Sequence, residues 1–254
     1  MKPSRALWPN LLTITNLFLG FVAILLVIDG RMVTAAWMII AAGIVDAFDG
    51  KLARYVKTQS QFGMELDSLA DVVSFGVAIS ILLYINYFNQ LGGPGILLAF
   101  FPMLFCAVRL AKFNLSSTLP ADEHPVFIGL PTPIQACTLA SFIIFNYRIW
   151  GNLKYGVFLT PLVILTSLLM VSHIPFDTFP RLSFRSTRSN LVKLILLLTG
   201  LVAILVKPSL MFFPVITAFV VLGTIKGLIH LIFRAPEEEE LVEGDEVEDE
   251  GWVG

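Results

Sequence analysis

The chain has 254 residues, of which 56% are hydrophobic and 14% charged, with a formal net charge of −2 and a mean hydropathy of +0.82. It shows no glycine period and has only two cysteines, Cys106 and Cys137, in or beside apolar stretches, which excludes collagen-like, disordered and disulfide-stapled classes. Nucleic-acid binding is excluded because the basic residues lie between apolar segments instead of clustering on one solvent face. The composition predicts an integral membrane protein, with membrane lipids among its partners.

Eight apolar segments are long enough, or nearly so, to cross a bilayer as helices, for which about 20 residues are needed. They are Leu11–Ile28, Met32–Lys57, Leu66–Tyr87, Gly95–Leu115, Pro133–Trp150, Tyr155–Ile174, Leu191–Val206 and Leu210–Phe233. Pro208 is expected to separate the last two, because proline lacks the amide hydrogen that continues a helix. The predicted fold is all-α, a polytopic membrane helix bundle of about eight transmembrane helices.

The first segment is expected to remain in the protein, because no small-residue cleavage pattern follows it. The basic residues are unevenly distributed between the two sides of the predicted membrane. In membrane proteins the side with more Lys and Arg in its loops is the cytoplasmic side. Twelve fall on that side and four on the other; the twelve are Lys2, Arg5, Lys51, Arg54, Lys57, Arg109, Lys112, Arg181, Arg185, Arg188, Lys193 and Arg234. This bias predicts a multi-pass protein of the cytoplasmic (inner) membrane, with both termini on the cytoplasmic side.

The acidic residues divide the chain into two regions. Ten of the nineteen lie in the last eighteen residues, where no apolar helical period is present. We therefore predict one membrane-embedded domain over residues 1–234 and an acidic, disordered cytoplasmic tail over residues 235–254.

Four of the remaining acidic residues are placed to converge. Asp46 and Asp49 are separated by three positions and Asp67 and Asp71 by four, so each pair shares one face of a helix. Asp49 and Asp67 are equidistant from Thr58 in the intervening loop, and Asp46 and Asp71 nearly so, which predicts equal heights across an antiparallel hairpin. Glu65 points to the opposite face of its helix and is excluded.

Four converging carboxylates at the border of a bilayer need a compensating cation, since burial and mutual repulsion both oppose their ionisation. Oxygen ligands with no nearby His or Cys favour a hard ion, so we expect Mg²⁺ or Mn²⁺, with a pair of ions fitting four carboxylates best. Gly50, Ala53 and Gly63 lie within about 40° of the aspartates on their helical wheels. These small residues leave room for a bulky ligand, or for close helix packing.

The same residues resemble a known family. The sequence Asp-x-x-Asp-Gly-x-x-Ala-Arg, eight residues, then Gly-x-x-x-Asp-x-x-x-Asp runs from Asp46 to Asp71 and is similar to the signature of the CDP-alcohol phosphotransferases. Pro9, Asn10 and Thr13 resemble the family's N-terminal segment. The stretches Arg109–Asn114 and Gly129–Pro133 resemble its serine-using branch.

The resemblance implies transfer of a phosphatidyl group from CDP-diacylglycerol to the hydroxyl of L-serine with release of CMP, in a homodimeric membrane bundle. Asp46, Asp49, Asp67 and Asp71 would ligate two divalent ions, and Asp71 would also act as general base. The implied CDP-binding residues are Asn10, Thr13, Asp49, Gly50, Ala53, Arg54 and Gly63. Arg109 is the expected anchor for the serine carboxylate, with Lys112 beside it.

Two alternatives remain open at this stage. In the first, the acceptor alcohol is glycerol 3-phosphate or an inositol phosphate, because either would bring a phosphate group to Arg109 and Lys112. In the second, the chain is a cation transporter whose intramembrane carboxylates mark an ion path. The transporter hypothesis explains the aspartates but gives no reason for the fixed spacing of Gly50, Ala53, Arg54 and Gly63.

Overall fold

The computed structural model describes residues 7–56, 61–117, 129–174 and 188–234, and every regular element within these ranges is a helix. The α-helices are α1 (Leu7–Ile28), α2 (Met32–Val56), α3 (Gln61–Asp71), α4 (Ala78–Asn86), α5 (Gly93–Ser117), α6 (Thr132–Trp150), α7 (Leu159–Val171), α8 (Arg188–Val206) and α9 (Pro208–Arg234). The predicted all-α bundle is thereby confirmed. The predicted acidic tail and the arginines at positions 181 and 185 lie outside the described residues.

Helices α3 and α4 are the two halves of one continuous rod. A six-residue π-helix, Val72–Val77, joins them and begins directly after Asp71. The sequence predicted an uninterrupted span from Leu66, whereas the rod begins at Gln61 and contains this wider turn. Such π segments are rare and occur mostly near functional sites.

Proline and glycine set several helix ends. Pro208 is the first residue of α9, so the predicted break between the last two spans is confirmed. Gly151 follows α6 with a left-handed φ of 72°, and its N–H donates to the carbonyl of Tyr147. A glycine in this conformation ends a helix without the steric cost of a side chain.

Among the described residues, five helical stretches are long and apolar enough to cross a membrane, which makes the chain a multi-pass membrane protein. They are Asn10–Ile28, Met32–Asp49, Phe62–Asn86, Gly93–Leu115 and Pro208–Ile229. The sixth predicted span is shorter than expected: a 3₁₀ turn at Gly156–Phe158 precedes α7, whose thirteen residues extend only about 20 Å.

The C-terminal end of α7 is hydrogen-bonded to the segment before α6, which satisfies carbonyls that have no partner within the helix. The carbonyl of Leu169 accepts from the N–H of Leu130, and that of Ser172 accepts from Gly129. Ser172 itself has an extended backbone, with ψ of 155°. These bonds fix the segment that leads into α6 beside the end of α7.

Helix α6 occupies the interior of the bundle, where it packs against α2, α7 and α9. Its buried apolar residues, including Leu139 and Ile143, join Ile39 of α2 and Phe75 of the π segment in the main core. Phe142 and Phe145 contact Phe213 of α9 through their rings. Several of its buried side chains are nevertheless polar, namely Thr132, Gln135, Thr138, Ser141 and Asn146.

Helix α1 packs against both α2 and the rod that contains α3, the π segment and α4. Its closest approach is at Gly20, where a Cβ would lie 2.7 Å from the Cα of Ser74 and 2.3 Å from its Oγ. Only glycine fits at this crossing, as is common where membrane helices meet closely. The contact brings the polar residues of α1 against the aspartates of its two neighbours.

Candidate active site

The structure brings three of the four predicted aspartates into one cluster. Asp46 from α2 and Asp67 and Asp71 from α3 each place a carboxylate oxygen within 4.8 Å of the others. Asp71 is buried, and Asp46 and Asp67 are partly buried. The convergence expected from the spacing of these residues is therefore observed.

Asp49 lies beside this cluster and is buried. It interacts electrostatically with Asp46 and Asp67, and its carboxylate accepts a hydrogen bond from the hydroxyl of Thr13 on α1. Its Oδ1 atom has no hydrogen-bond partner among the described residues, and the same is true of Asp67 Oδ1. The cluster thus retains buried carboxylate oxygens that accept no hydrogen bond from that part of the protein.

Helix α1 supplies a wall of the site through Asn16, which is fully buried. The Asn16 Nδ2 atom donates to Asp71 Oδ1 over 3.0 Å, and the Asn16 carbonyl accepts from the Ser74 hydroxyl over 2.9 Å. Asn16 thereby holds Asp71 and the first turn of the π segment together. Asn16 is not among the residues predicted from the sequence, since its position three residues after Thr13 indicates only that the two share a face of α1.

Arg109 of α5 borders the aspartates on another side. Its guanidinium interacts electrostatically with Asp71, and its Nη1 atom donates to the hydroxyl of Thr132 over 3.2 Å. Cys106, one turn earlier, directs its thiol to the main-chain oxygen of Asp71 at 3.9 Å. Lys112, the other cation predicted to meet the acceptor, is exposed on the same helix.

The other residues predicted to bind CDP belong to α1, α2 and α3. Asn10 and Gly63 are partly buried, and Gly63 precedes Asp67 by one helical turn. Gly50, Ala53 and Arg54 belong to the last turns of α2, but their side chains lie outside the described residues.

Glu65 is exposed and accepts from Asn114 Nδ2 over 3.1 Å, away from the cluster as its position on the helical wheel predicted. Asn114 Oδ1 in turn accepts from the Ser68 hydroxyl over 3.1 Å. These two bonds tie the aspartate-bearing helix α3 to the end of α5.

The donor set fits a hard divalent cation. All the converging groups are carboxylates, and two of their buried oxygens lack a hydrogen-bond donor within the described ranges. Buried carboxylates without donors are costly unless a proton or a cation neutralises them, and oxygen-only ligands select Mg²⁺, Mn²⁺ or Ca²⁺ over softer metals. A membrane bundle with such a cluster beside an arginine is the kind of site used in metal-assisted chemistry on phosphate groups.

Comparison with known families agrees with this description. The family model for CDP-alcohol phosphatidyltransferase matches residues 6–178, a range that contains the four aspartates, Asn16 and Arg109. The chain belongs to this family. Its members' general dependence on divalent metals agrees with the carboxylate cluster.

Individual relatives are similar over most of the chain. A CDP-diacylglycerol–serine O-phosphatidyltransferase of Helicobacter pylori is 34% identical over 230 residues, covering 89% of this chain and 92% of the relative. A protein of the same name from Mycobacterium tuberculosis is 29% identical, covering 95% of this chain and 82% of the relative. The archaetidylserine synthase of Methanothermobacter thermautotrophicus is 35% identical, covering 66% of this chain and 68% of the relative.

Proposed function

We propose that this protein transfers the phosphatidyl group of CDP-diacylglycerol to the hydroxyl of L-serine, giving phosphatidylserine and CMP. The observation that carries the proposal is the convergence of Asp46, Asp67 and Asp71 within 4.8 Å, beside Arg109 and inside the matched family region. The names of the relatives supply the acceptor, since two of those compared are serine O-phosphatidyltransferases and the third is an archaetidylserine synthase.

Asp46, Asp49, Asp67 and Asp71 would hold two divalent ions, Mg²⁺ or Mn²⁺. When bound, these ions neutralise the negative charge of the pyrophosphate oxygens and of the leaving CMP. The hydrogen bond from Thr13 to Asp49 and that from Asn16 to Asp71 fix two of the four carboxylates before any ligand arrives. Pre-positioned ligands of this kind reduce the ordering that binding requires.

Asp71 serves as the general base. Its carboxylate accepts the proton of the serine hydroxyl as the serine oxygen forms a bond to the phosphorus that carries diacylglycerol, and the bond from that phosphorus to the CMP oxygen breaks. Asn16 holds one oxygen of Asp71 through its amide and thereby orients the carboxylate. Asp71 is buried and held by Asn16, which suits a group that must meet one hydroxyl in one direction.

The other proposed contacts follow the faces of the three helices. The cytidine diphosphate is bound by residues of α1, α2 and α3, namely Asn10, Thr13, Asp49, Gly50, Ala53, Arg54 and Gly63. Arg109 pairs with the serine carboxylate, and the exposed Lys112 attracts anionic substrates to the same end of α5. The active site and both termini face the cytoplasm from the inner membrane, and two chains form a homodimer.

The test is alcohol-dependent release of CMP. Purified protein in detergent or nanodiscs is supplied with CDP-diacylglycerol, Mg²⁺ or Mn²⁺, and one alcohol at a time. We expect CMP release with L-serine and none with glycerol 3-phosphate or an inositol phosphate. Release confined to either phosphate alcohol would replace serine as the acceptor, and metal uptake into vesicles without CMP production from any alcohol would favour a transporter.

A further inference from the structure

Two hydrogen bonds, one helical turn apart on α6, lie between Arg109 and the interior of the bundle. Gln135 lies one helical turn after Thr132 on α6 and is fully buried. Its Nε2 atom donates to the hydroxyl of Ser167 on α7 over 2.8 Å, and Ser167 is also fully buried. Arg109, Thr132, Gln135 and Ser167 therefore connect α5, α6 and α7 beside the aspartate cluster.

Among these four residues, one buried donor atom and one buried acceptor atom make no hydrogen bond within the described residues. The buried Nε of Arg109 is a charged donor, and the buried Oε1 of Gln135 is an acceptor; neither finds a partner among the described residues. Leaving a buried donor or acceptor unpaired costs free energy, so such atoms are rare unless a ligand or an ordered water completes them.

Arg109 contacts α6 at Thr132, one helical turn before Gln135. Thr132 and Gln135 are three positions apart on one helix, which places their Cβ atoms about 5–6 Å apart. The Arg109 guanidinium is already 3.2 Å from the Thr132 hydroxyl. A carboxylate bound at Arg109 and an ammonium group bound at Gln135 would thus lie beside adjacent turns of α6.

We propose that Arg109 and Gln135 form a zwitterion-binding subsite, in which Arg109 takes the carboxylate of the amino-acid acceptor and Gln135 Oε1 takes its ammonium group. Ser167 orients the Gln135 amide so that its oxygen is presented to the ammonium. The inference rests on the proposed function and adds the contact that recognises the ammonium.

The subsite accounts for the direction of the reacting hydroxyl. With the carboxylate and ammonium held on the side of α5 and α6, the hydroxymethyl group is the only other non-hydrogen substituent of the serine α-carbon. Arg109 interacts electrostatically with Asp71, so an acceptor bound at Arg109 would bring this group near the general base. Glycerol 3-phosphate has no ammonium and would leave Gln135 Oε1 unpaired, which disfavours its binding.

The experiment pairs a Gln135→Leu variant with two serine analogues used as competitive inhibitors. 3-Hydroxypropanoate lacks the ammonium and ethanolamine lacks the carboxylate. In Gln135→Leu we expect the KM for serine and the Ki of ethanolamine to rise about tenfold or more, because a charge-assisted hydrogen bond is lost, while the Ki of 3-hydroxypropanoate stays unchanged. The Arg109→Leu variant should show the reverse inhibitor pattern.

Thr138→Val is the matched control, since Thr138 is buried one turn further along α6 and its hydroxyl bonds only to its own helix at Ile134 in the described contacts. It should leave the KM for serine and both Ki values unchanged. Gln135→Glu keeps an acceptor oxygen and should retain serine binding. If Gln135→Leu does not fold, Ser167→Ala is used in its place. We then expect a smaller rise in the KM for serine and no change in the KM for CDP-diacylglycerol.

An unchanged KM for serine in Gln135→Leu would overturn the subsite and indicate that Oε1 meets only a water. A rise in Ki for 3-hydroxypropanoate as large as that for ethanolamine would also overturn it, because the contact would then be to the carboxylate. Failure of the proposed function gives a different result, namely no serine-dependent CMP release from the unaltered protein.

Discussion

The four aspartates have different surroundings, and those surroundings indicate different roles. Asp71 is buried and receives the Asn16 amide, whereas Asp49 receives the Thr13 hydroxyl and keeps one buried oxygen without a partner in the described structure. Asp46 and Asp67 are only partly buried and lie within 4.8 Å of each other and of Asp71. Asp49 and Asp71 are therefore the two carboxylates that hydrogen bonds from α1 orient.

The first prediction at this scale concerns the general base. Asp71→Asn keeps the shape of the side chain but removes its ability to accept a proton, so serine-dependent CMP release should fall by about 10²- to 10⁴-fold. Binding of CDP-diacylglycerol should be partly retained, as measured by equilibrium binding in detergent. Glu65→Gln is the control, because Glu65 is exposed outside the cluster; turnover of Asp71→Asn at the rate of this control would contradict the assignment.

A second prediction concerns Asn16. Replacing it with leucine keeps a side chain branched at Cγ but removes the amide that holds Asp71, a charge-assisted bond worth about 1.5–3 kcal/mol. We expect kcat to fall by about 10- to 100-fold, with a smaller change in the KM for CDP-diacylglycerol.

Thr15→Val is the matched control for Asn16→Leu, since the Thr15 hydroxyl bonds to the carbonyl of Leu11 in the same helix. Equal kcat values in Asn16→Leu and Thr15→Val would show that Asn16 does not position the base.

At the scale of helices, α1 acts as the common neighbour of the two aspartate-bearing segments. The Gly20–Ser74 crossing sets the distance between α1 and the π segment, and the Ser74–Asn16 hydrogen bond locks their register. The π-helix starts directly after Asp71, so this wider turn and the close crossing both lie where Asp71 meets Asn16.

Gly20→Ala tests this crossing. The added Cβ would lie within 3 Å of Ser74 backbone, which cannot move without shifting the π segment. We expect a loss of about 1–3 kcal/mol of stability, seen as a lower thermal unfolding midpoint in detergent, together with reduced activity.

Gly93→Ala is the control for this prediction, because no atom lies within 4 Å of the Cβ position there. A Gly20→Ala protein as stable as Gly93→Ala would mean that the two helices are not closely packed.

For the whole molecule, the distribution of basic residues predicts which end faces the cytoplasm. Lys112 near the end of α5 and Lys154 between α6 and α7 are both exposed, and they belong to opposite ends of the predicted spans. Cys106 and Cys137 are buried and give little background in thiol labelling.

Single cysteines at these two positions test the orientation. In intact cells, a membrane-impermeant maleimide should label Lys154→Cys, and should label Lys112→Cys only after the membrane is permeabilised. Labelling of Lys112→Cys in intact cells would place the active site on the outer side.

Sequence patterns predicted the helical class, the break at Pro208 and the meeting of Asp46, Asp67 and Asp71, because each depends on local composition or on the regular period of a helix. They did not predict the π segment, which depends on packing against α1 and α5. They also did not identify Asn16 or Gln135, because a lone buried amide acquires meaning only through its neighbours from distant parts of the chain.

The sequence by itself thus determined that this is a membrane protein with a cluster of carboxylates, because apolar length and aspartate spacing are local properties. Its resemblance to the CDP-alcohol phosphotransferases indicated phosphoryl chemistry. The tertiary structure decided what surrounds that cluster. Only the packing of α1, α5, α6 and α7 brings Asn16 to Asp71, Arg109 to Thr132 and Gln135 to Ser167. These pairs are separated by 23 to 55 residues in the chain, and no helical period relates residues at that distance.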